Sequence, residues 1–322
     1  MTASKKHHRP EVPAPAHPKH RHEPLPWHHP KPSSEDPTVS GKLEQLFNSP
    51  SYIQPDKDID FLNLDDTRGI RLQLDYMKPE LLLEQHGIKH TIVVFGSTRI
   101  VEPASARQQV DQLRDALAAA PDDGEIQQRL SVAERLLAKS HYYGIAREFG
   151  RRVAHSGSGP ADSGLVVMTG GGPGAMEAAN RGAHEAGAKT IGLNIGLPHE
   201  QYPNPYITPD LCFQFHYFAL RKLHFLLRAK ALIAFPGGFG TFDELFETLT
   251  LIQTRKIKPV PVVLVCEAYW RKAFDIDFLV EEGVIDVEDR RLFWFAETAD
   301  DIWEGLLCWY EQNGETLVEE TR

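Results

Sequence analysis

Residues 164–187 read GLVVMTGGGPGAMEAANRGAHEAG. An apolar run ends in a threonine, three glycines and a Pro-Gly follow, and apolar and small residues then recur at helical spacing up to Gly187. That is a buried strand, a tight loop and a helix with a glycine stop. The same pattern recurs along the chain: HTIVVFGSTR (90–99), TIGLNI (190–195), LCFQF (211–215), ALIAF (231–235), PVVLV (261–265) and LFWFA (292–296) are short apolar runs separated by helical stretches. Strands that are continuously apolar, alternating with helices, belong to a parallel sheet covered on both faces.

The expected fold class is therefore α/β, a doubly wound parallel sheet of Rossmann-like type with extra N-terminal helices. Ligands in such sheets bind outside the carboxyl ends of the strands. The loops GSTR, TGGGPGAME and PGGFGTFDE should accordingly share one rim. Residues 42–89 read as short helices, the last, KPELLLEQHG, closed by Gly87. Residues 103–156 are helical by period and broken at PDDG (121–124). The second half, from Glu125 to about His155, carries Leu130, Val132, Leu136, Leu137, Tyr143 and Phe149 among its apolar positions, with Gly144 as the expected bend. Residues 1–40, rich in Pro, His, Lys and Ser, hold too few aliphatics to offset the entropy of ordering and are expected to be a disordered tail, leaving 41–322 as a single domain. The tail histidines show no closed ligand spacing, so no metal site is read there.

The whole-chain numbers exclude several classes. The 322 residues are 41% apolar, enough for a sizeable core, and the net charge of −10 argues against a dedicated nucleic-acid binder. Three cysteines without a C-x-x-C pair give neither a disulfide framework nor a zinc site, and a cytoplasmic setting follows as the expectation. No signal-peptide core and no run of about 20 apolar residues is present, so no membrane role is expected.

Three motifs carry chemistry. In TGGGPGAMEAAN (169–180) the glycines let the backbone approach a ligand, and the helix start behind them favours an anion. The pattern is neither G-x-G-x-x-G nor a Walker loop, and the competing reading is a strand-to-helix turn that needs glycine for packing. In PGGFGTFDE (236–244) the same logic recurs, with Gly237, Gly238 and Gly240 baring the backbone. Here Thr241 and Glu244 have capping-box spacing, which would make Glu244 a structural residue. In HYFALRKLHFLLRAK (216–230) Arg221 and Lys222 lie near the helix start. Their bland reading, extended to Arg228 and Lys230, is a solvated basic face. No Ser-His-Asp order, G-x-S-x-G elbow or H-E-x-x-H competes.

Taken together, GGGPGAMEAANRGA, GLNIGLPHEQYPNPYIT, ALRK and PGGFGTFDELFETLTLIQT closely resemble the Lonely Guy (LOG) family of nucleoside 5′-monophosphate phosphoribohydrolases, particularly its longer members. The resemblance covers roughly residues 90–310. It implies hydrolysis of the N-glycosidic bond of a purine riboside 5′-monophosphate, such as AMP or a cytokinin riboside monophosphate, with no cofactor and no metal. It also implies a homo-oligomer. Arg221 and Glu244 would be the catalytic pair. The substrate would be bound by Lys222, the loop Gly237, Gly238, Phe239, Gly240, Thr241, Phe242 and Asp243, then Thr250, Glu200, Gly96, Ser97, Gly171 and Gly172. The chain departs from the short plant-type members in carrying Ala219-Leu220 where they have Met-His, and GSTR where Gly-Ser-Ser is commoner. A nucleotide- or cofactor-binding carrier of the related molybdenum-cofactor type is the alternative from another class. In that case Glu244 would only cap its helix.

Overall fold

The computed structural model describes residues 12–21, 23, 29–157, 159, 164–197 and 202–318. Of the expected tail, residues 1–11, 22 and 24–28 lie outside them. The chain divides into two compact units, Met1–Asp65 and Asp66–Arg322. The first holds α1 (Val39–Phe47) and the single turn α2 (Ile59–Leu62), whose N-cap Asp58 accepts a hydrogen bond from the Phe61 amide.

The second unit is the α/β domain. Its elements are α3 (Arg68–Gln85), β1 (Thr91–Phe95), α4 (Pro103–Ala119), α5 (Gly124–Lys139), α6 (His141–Ala154), β2 (Val166–Thr169), α7 (Ala175–Glu185), β3 (Thr190–Ile195), β4 (Cys212–Phe215) and α8 (Phe218–Leu227). After these come β5 (Ala229–Ala234), α9 (Phe239–Gln253), β6 (Val262–Val265), α10 (Glu267–Ala273), α11 (Ile276–Glu281), β7 (Trp294–Ala296) and α12 (Ala299–Gln312). The seven strands form one sheet in the order β4-β3-β2-β1-β5-β6-β7, every neighbouring pair parallel. Between β1 and β5 the strand order reverses direction. Their carboxyl ends therefore border the crevice where such sheets take ligands.

Alternation along each strand sorts two cores. Ile92 and Val94 of β1 face one side with Val167, Ile233 and Val263, where α6, α7 and α12 cover them. Val93 and Phe95 face the other with Met168, Leu193 and Leu232, beneath Leu83 of α3, Phe225 of α8 and Leu245 and Leu249 of α9. Burial on both faces explains why the central strands β1, β2, β5 and β6 are almost continuously apolar, whereas the edge strand β4 exposes Gln214 between Phe213 and Phe215. Gly87 and Gly187, with φ of +71° and +85°, end α3 and α7 as the sequence implies.

Two expectations are corrected here. The long helical stretch breaks at Ser140, and Gly144 sits inside α6. The Ser140 hydroxyl donates to the Leu137 carbonyl at 2.8 Å, a local bond that competes with the helix ladder. Arg228 is not on a solvated face. Its guanidinium pairs with Glu80 of α3 and its Nε donates to the Ile88 carbonyl, fastening the helix-to-strand turn. α4 and α5 form a hairpin around Val110, Leu113 and Ala133, with its own small core.

Candidate functional site

Between the ends of β1 and β5 lies a cavity of about 690 Å³. The β1 loop contributes Gly96 to Arg99 and the start of α9 contributes Gly237, Gly238, Gly240, Thr241, Asp243 and Glu244. α8 brings Arg221 and Phe218, α7 brings Met176, and α5 closes a wall with Val132, Arg135, Leu136 and Lys139.

The start of α9 differs from the capping box the sequence suggests. The helix begins at Phe239 with Gly238 as its N-cap, and no side chain caps it. Thr241 therefore stands at the third helical position, and its amide bonds back to the Gly238 carbonyl. Its side chain fills the space beside Gly237, where an added Cβ would meet the Thr241 Oγ1 at 2.1 Å. Thr241 is used for packing, and that is why the glycine precedes it. The amides of Phe239 and Gly240, in the first turn, have no acceptor within the helix. They mark the positive end of a 15-residue helix, and Gly240 lines the cavity.

Freed from capping, Glu244 sits one turn deeper. Thr241, Glu244, Leu245, Thr248, Leu249 and Ile252 form the buried stripe of α9, so the carboxyl occupies a position otherwise filled by core residues. It is 6% exposed, and no described side chain hydrogen-bonds to it. Burial raises its pKa to about 7, against the opposing pull of Lys222 and Arg221. A carboxyl that changes charge near neutrality, inside a cavity, fits proton transfer or stabilisation of developing charge.

The Arg-Lys pair separates. Arg221 turns inward: its Nε donates to the Leu193 carbonyl of β3 at 2.7 Å, and its guanidinium lies 5.1 Å from the centre of the Phe225 ring. Burial lowers its pKa, offset by Glu244 and Asp243. Lys222 turns the other way, pairing with Asp243 at 2.8 Å and Glu247 at 3.0 Å, and ties α8 to α9.

The second glycine loop is turned inward too. The Gly171 amide donates to the Thr169 hydroxyl, the Gly171 carbonyl accepts from the Asn204 amide, and the Gly172 carbonyl accepts from the Asn204 side chain. The first amide of α7, on Ala175, is taken by the Ser97 carbonyl at 3.2 Å. That approach leaves no room at Gly174, where φ is +77° and a Cβ would lie 2.3 Å from the Ser97 oxygen. A Cβ on Gly170 would lie 2.6 Å from an Arg221 guanidinium nitrogen. The loop thus shapes the seat of Arg221, while Gly171 and Gly172 stay outside the cavity lining.

Of the residues expected at the site, the cavity unites Gly96, Ser97, Arg221, Gly237, Gly238, Gly240, Thr241, Asp243 and Glu244. Phe239, 96% exposed, shares a shallow outer groove with Lys222, Phe242 and Thr250. Phe242 also lies against Phe246 and Trp270. Glu200 lies outside the described residues. Not foreseen were Phe218, Tyr269 and the wall from α5. Helical period marks Val132 and Leu136 as buried by something, without saying by what.

An open helix start, a buried arginine and a buried carboxyl stand together at the switch point of a parallel sheet, where α/β proteins of this class take their ligands. The family model described as "Possible lysine decarboxylase" matches residues 176–306. A probable cytokinin riboside 5′-monophosphate phosphoribohydrolase, LOGL5 of Oryza sativa subsp. japonica, is 31% identical over 177 residues, 54% of this chain and 67% of that one. Cytokinin riboside 5′-monophosphate phosphoribohydrolase LOG4 of Arabidopsis thaliana is 31% identical over 145 residues, 44% of this chain and 66% of that one. This chain belongs to the LOG family. It spans about two thirds of the length of these relatives. Among solved structures, the molybdenum cofactor carrier protein of Chlamydomonas reinhardtii matches with a TM-score of 0.37 and 21% identity, over 68% of this chain and 99% of that one.

Proposed function

We propose that this chain hydrolyses the N-glycosidic bond of purine nucleoside 5′-monophosphates, releasing the base and ribose 5-phosphate. The observation that carries the reading is Glu244, a buried carboxyl without a capping role, in one cavity with Arg221 and the open start of α9. The 5′-phosphate would accept from the Phe239 and Gly240 amides, where the helix dipole favours negative charge. As the C1′–N bond breaks, its electron pair leaves with the base and positive charge develops on the ribose ring. Ionised Glu244 stabilises that charge and takes a proton from the water that adds to C1′, while the departing base takes up a proton from solvent. Arg221, held by the Leu193 carbonyl, supplies a fixed positive charge beside it.

AMP and cytokinin riboside monophosphates are both candidate substrates, and the relatives named above support the second. The homo-oligomer implied by the family would have the exposed side chains of Phe239, Leu223 and Leu227 to bury. Light scattering of the purified chain tests that assembly. For the reaction itself, incubation with AMP should release free adenine, measured by chromatography. Tight AMP binding without adenine release would overturn the reading.

A further inference from the structure

Two neighbouring side chains of α10 hold the segment that leaves β5. Trp270, fully buried, donates from its indole Nε1 to the carbonyls of Ala234 and Val265 at 3.2 and 3.0 Å. Tyr269, which lines the cavity, donates from its hydroxyl to the Gly237 carbonyl. Its ring stands edge-on to that of Trp270 at 5.2 Å, so a buried neighbour fixes its direction. Between these two points the Pro236 carbonyl accepts from the Ser97 amide at 2.9 Å. The carbonyls of Ala234, Pro236 and Gly237 are thus all tied to groups outside the segment. The amides that follow are not: those of Gly237, Gly238, Phe239 and Gly240 donate to no carbonyl or side chain among the described residues. This division gives the loop an electrical sense, acceptors taken and donors unpaired. The Gly237–Gly238 peptide is where that sense could reverse, because glycine on both sides offers little steric resistance to rotating the peptide plane. A turned plane would put the Gly237 carbonyl oxygen where the Gly238 N–H had been, an acceptor in place of a donor.

From this arrangement we infer that Tyr269 is a positioning residue: by holding the Gly237 carbonyl it keeps the amides at the start of α9 presented to a phosphate, the substrate's 5′-phosphate in the function proposed above. The inference rests on reading that helix start as the phosphate seat. Tyr269 acts through the loop and not on the reacting atoms. Amides donating to phosphate oxygens make charge-assisted bonds, stronger than neutral ones, so turning even one of them away weakens the seat.

Tyr269→Phe removes the hydroxyl and keeps the ring. Titration calorimetry of the full chain and of this variant, with ribose 5-phosphate and with adenosine, which lacks the phosphate, tests the inference. Ribose 5-phosphate should bind the variant about fivefold or more weakly, the scale of one hydrogen bond, while adenosine binding stays within about twofold. With AMP, KM should rise by a similar factor and kcat change little, because binding lost equally from ground state and transition state appears in KM. Unchanged ribose 5-phosphate affinity in the variant, or no binding of it to the wild-type chain, would overturn the inference. Equal weakening of both ligands would overturn it too, since a general loosening of the fold produces that result. Adenine release by the wild-type chain is followed in parallel. A loss of ribose 5-phosphate affinity in a chain that releases no adenine would uphold the role of Tyr269 at the phosphate seat and remove the hydrolase reading. Adenine release with unchanged ribose 5-phosphate affinity would do the reverse.

Discussion

At Glu244 the proposed activity would oppose stability. Its pKa, raised to about 7 by burial, lies well above the usual 4.5, so the folded chain holds this proton through a pH range where the unfolded chain has lost it. The group's contribution to stability is complete below pH 4.5 and is lost as pH rises through about 7. Above that the fold carries a buried charge at a cost of roughly 3 kcal/mol. Glu244→Gln should therefore raise the melting temperature at pH 8, with the gain vanishing at pH 4.5, as calorimetric scans at both values would show. The same variant should lose at least about 100-fold in adenine release, typical of removing a group that stabilises transition-state charge. Wild-type kcat/KM should rise with pH up to about 7, and that limb should be absent from the variant. A second residue-scale prediction concerns Gly170, where a Cβ would press on the Arg221 guanidinium at 2.6 Å. Gly170→Ala should displace Arg221 and, if Arg221 acts as proposed, cut turnover by about tenfold or more, because misplacing a catalytic group by an ångström has effects of at least that order. Circular dichroism would show the fold retained.

Among the elements, α9 shows what sequence spacing can and cannot convey. Its strand neighbour, its length and its end near Gln253 are readable because apolar runs and helical period report burial directly. Its start is not. Thr241 and Glu244 have the interval of a capping box, yet the helix begins at Phe239, since Gly238 takes the extended N-cap conformation and the Thr241 methyl and hydroxyl pack onto Gly237. Spacing alone cannot tell a capping threonine from one buried a turn later. Gly237→Ala should push Thr241 aside and shift the first turn of α9, destabilising the chain by about 1–3 kcal/mol as overpacked sites do. Denaturant titration would measure it. The α5 wall was illegible for a related reason: amphipathic period shows that a helix covers something, and only the tertiary fold shows that it covers the cavity. The inward turn of Arg221 and outward turn of Lys222 likewise follow from which neighbours present a carbonyl and which a carboxylate.

Over the whole molecule, two buried groups tilt the pH dependence of stability in opposite directions. His224, buried on α8 between Phe215 and Tyr76 and near Glu80 of α3, has its pKa lowered by burial. The unfolded chain takes up that proton near pH 6.5 while the folded chain resists it, so stability is lost as pH falls below that point. Glu80, held below its usual pKa by Arg228 and His224, adds a loss in the same direction below about 4.5. Glu244 works against His224 between pH 7 and 4.5. As pH falls from 7 to 5 the wild-type melting temperature should thus fall less than that of Glu244→Gln, in which the histidine slope is no longer opposed.

The bond from the Ala175 amide to the Ser97 carbonyl has a consequence for ligand direction. Two helices point their starts at this rim, and a nucleotide facing two equivalent anchors could lie across them in either sense. Ser97 occupies the first amide of α7, whereas the first two amides of α9, on Phe239 and Gly240, are taken by no carbonyl among the described residues. In the function proposed above, a phosphate would then act as a keyed end. The sugar would be set beside Glu244 and the base directed outward before any contact reads its identity, so a chain built this way would accept different purines without losing alignment at the scissile bond.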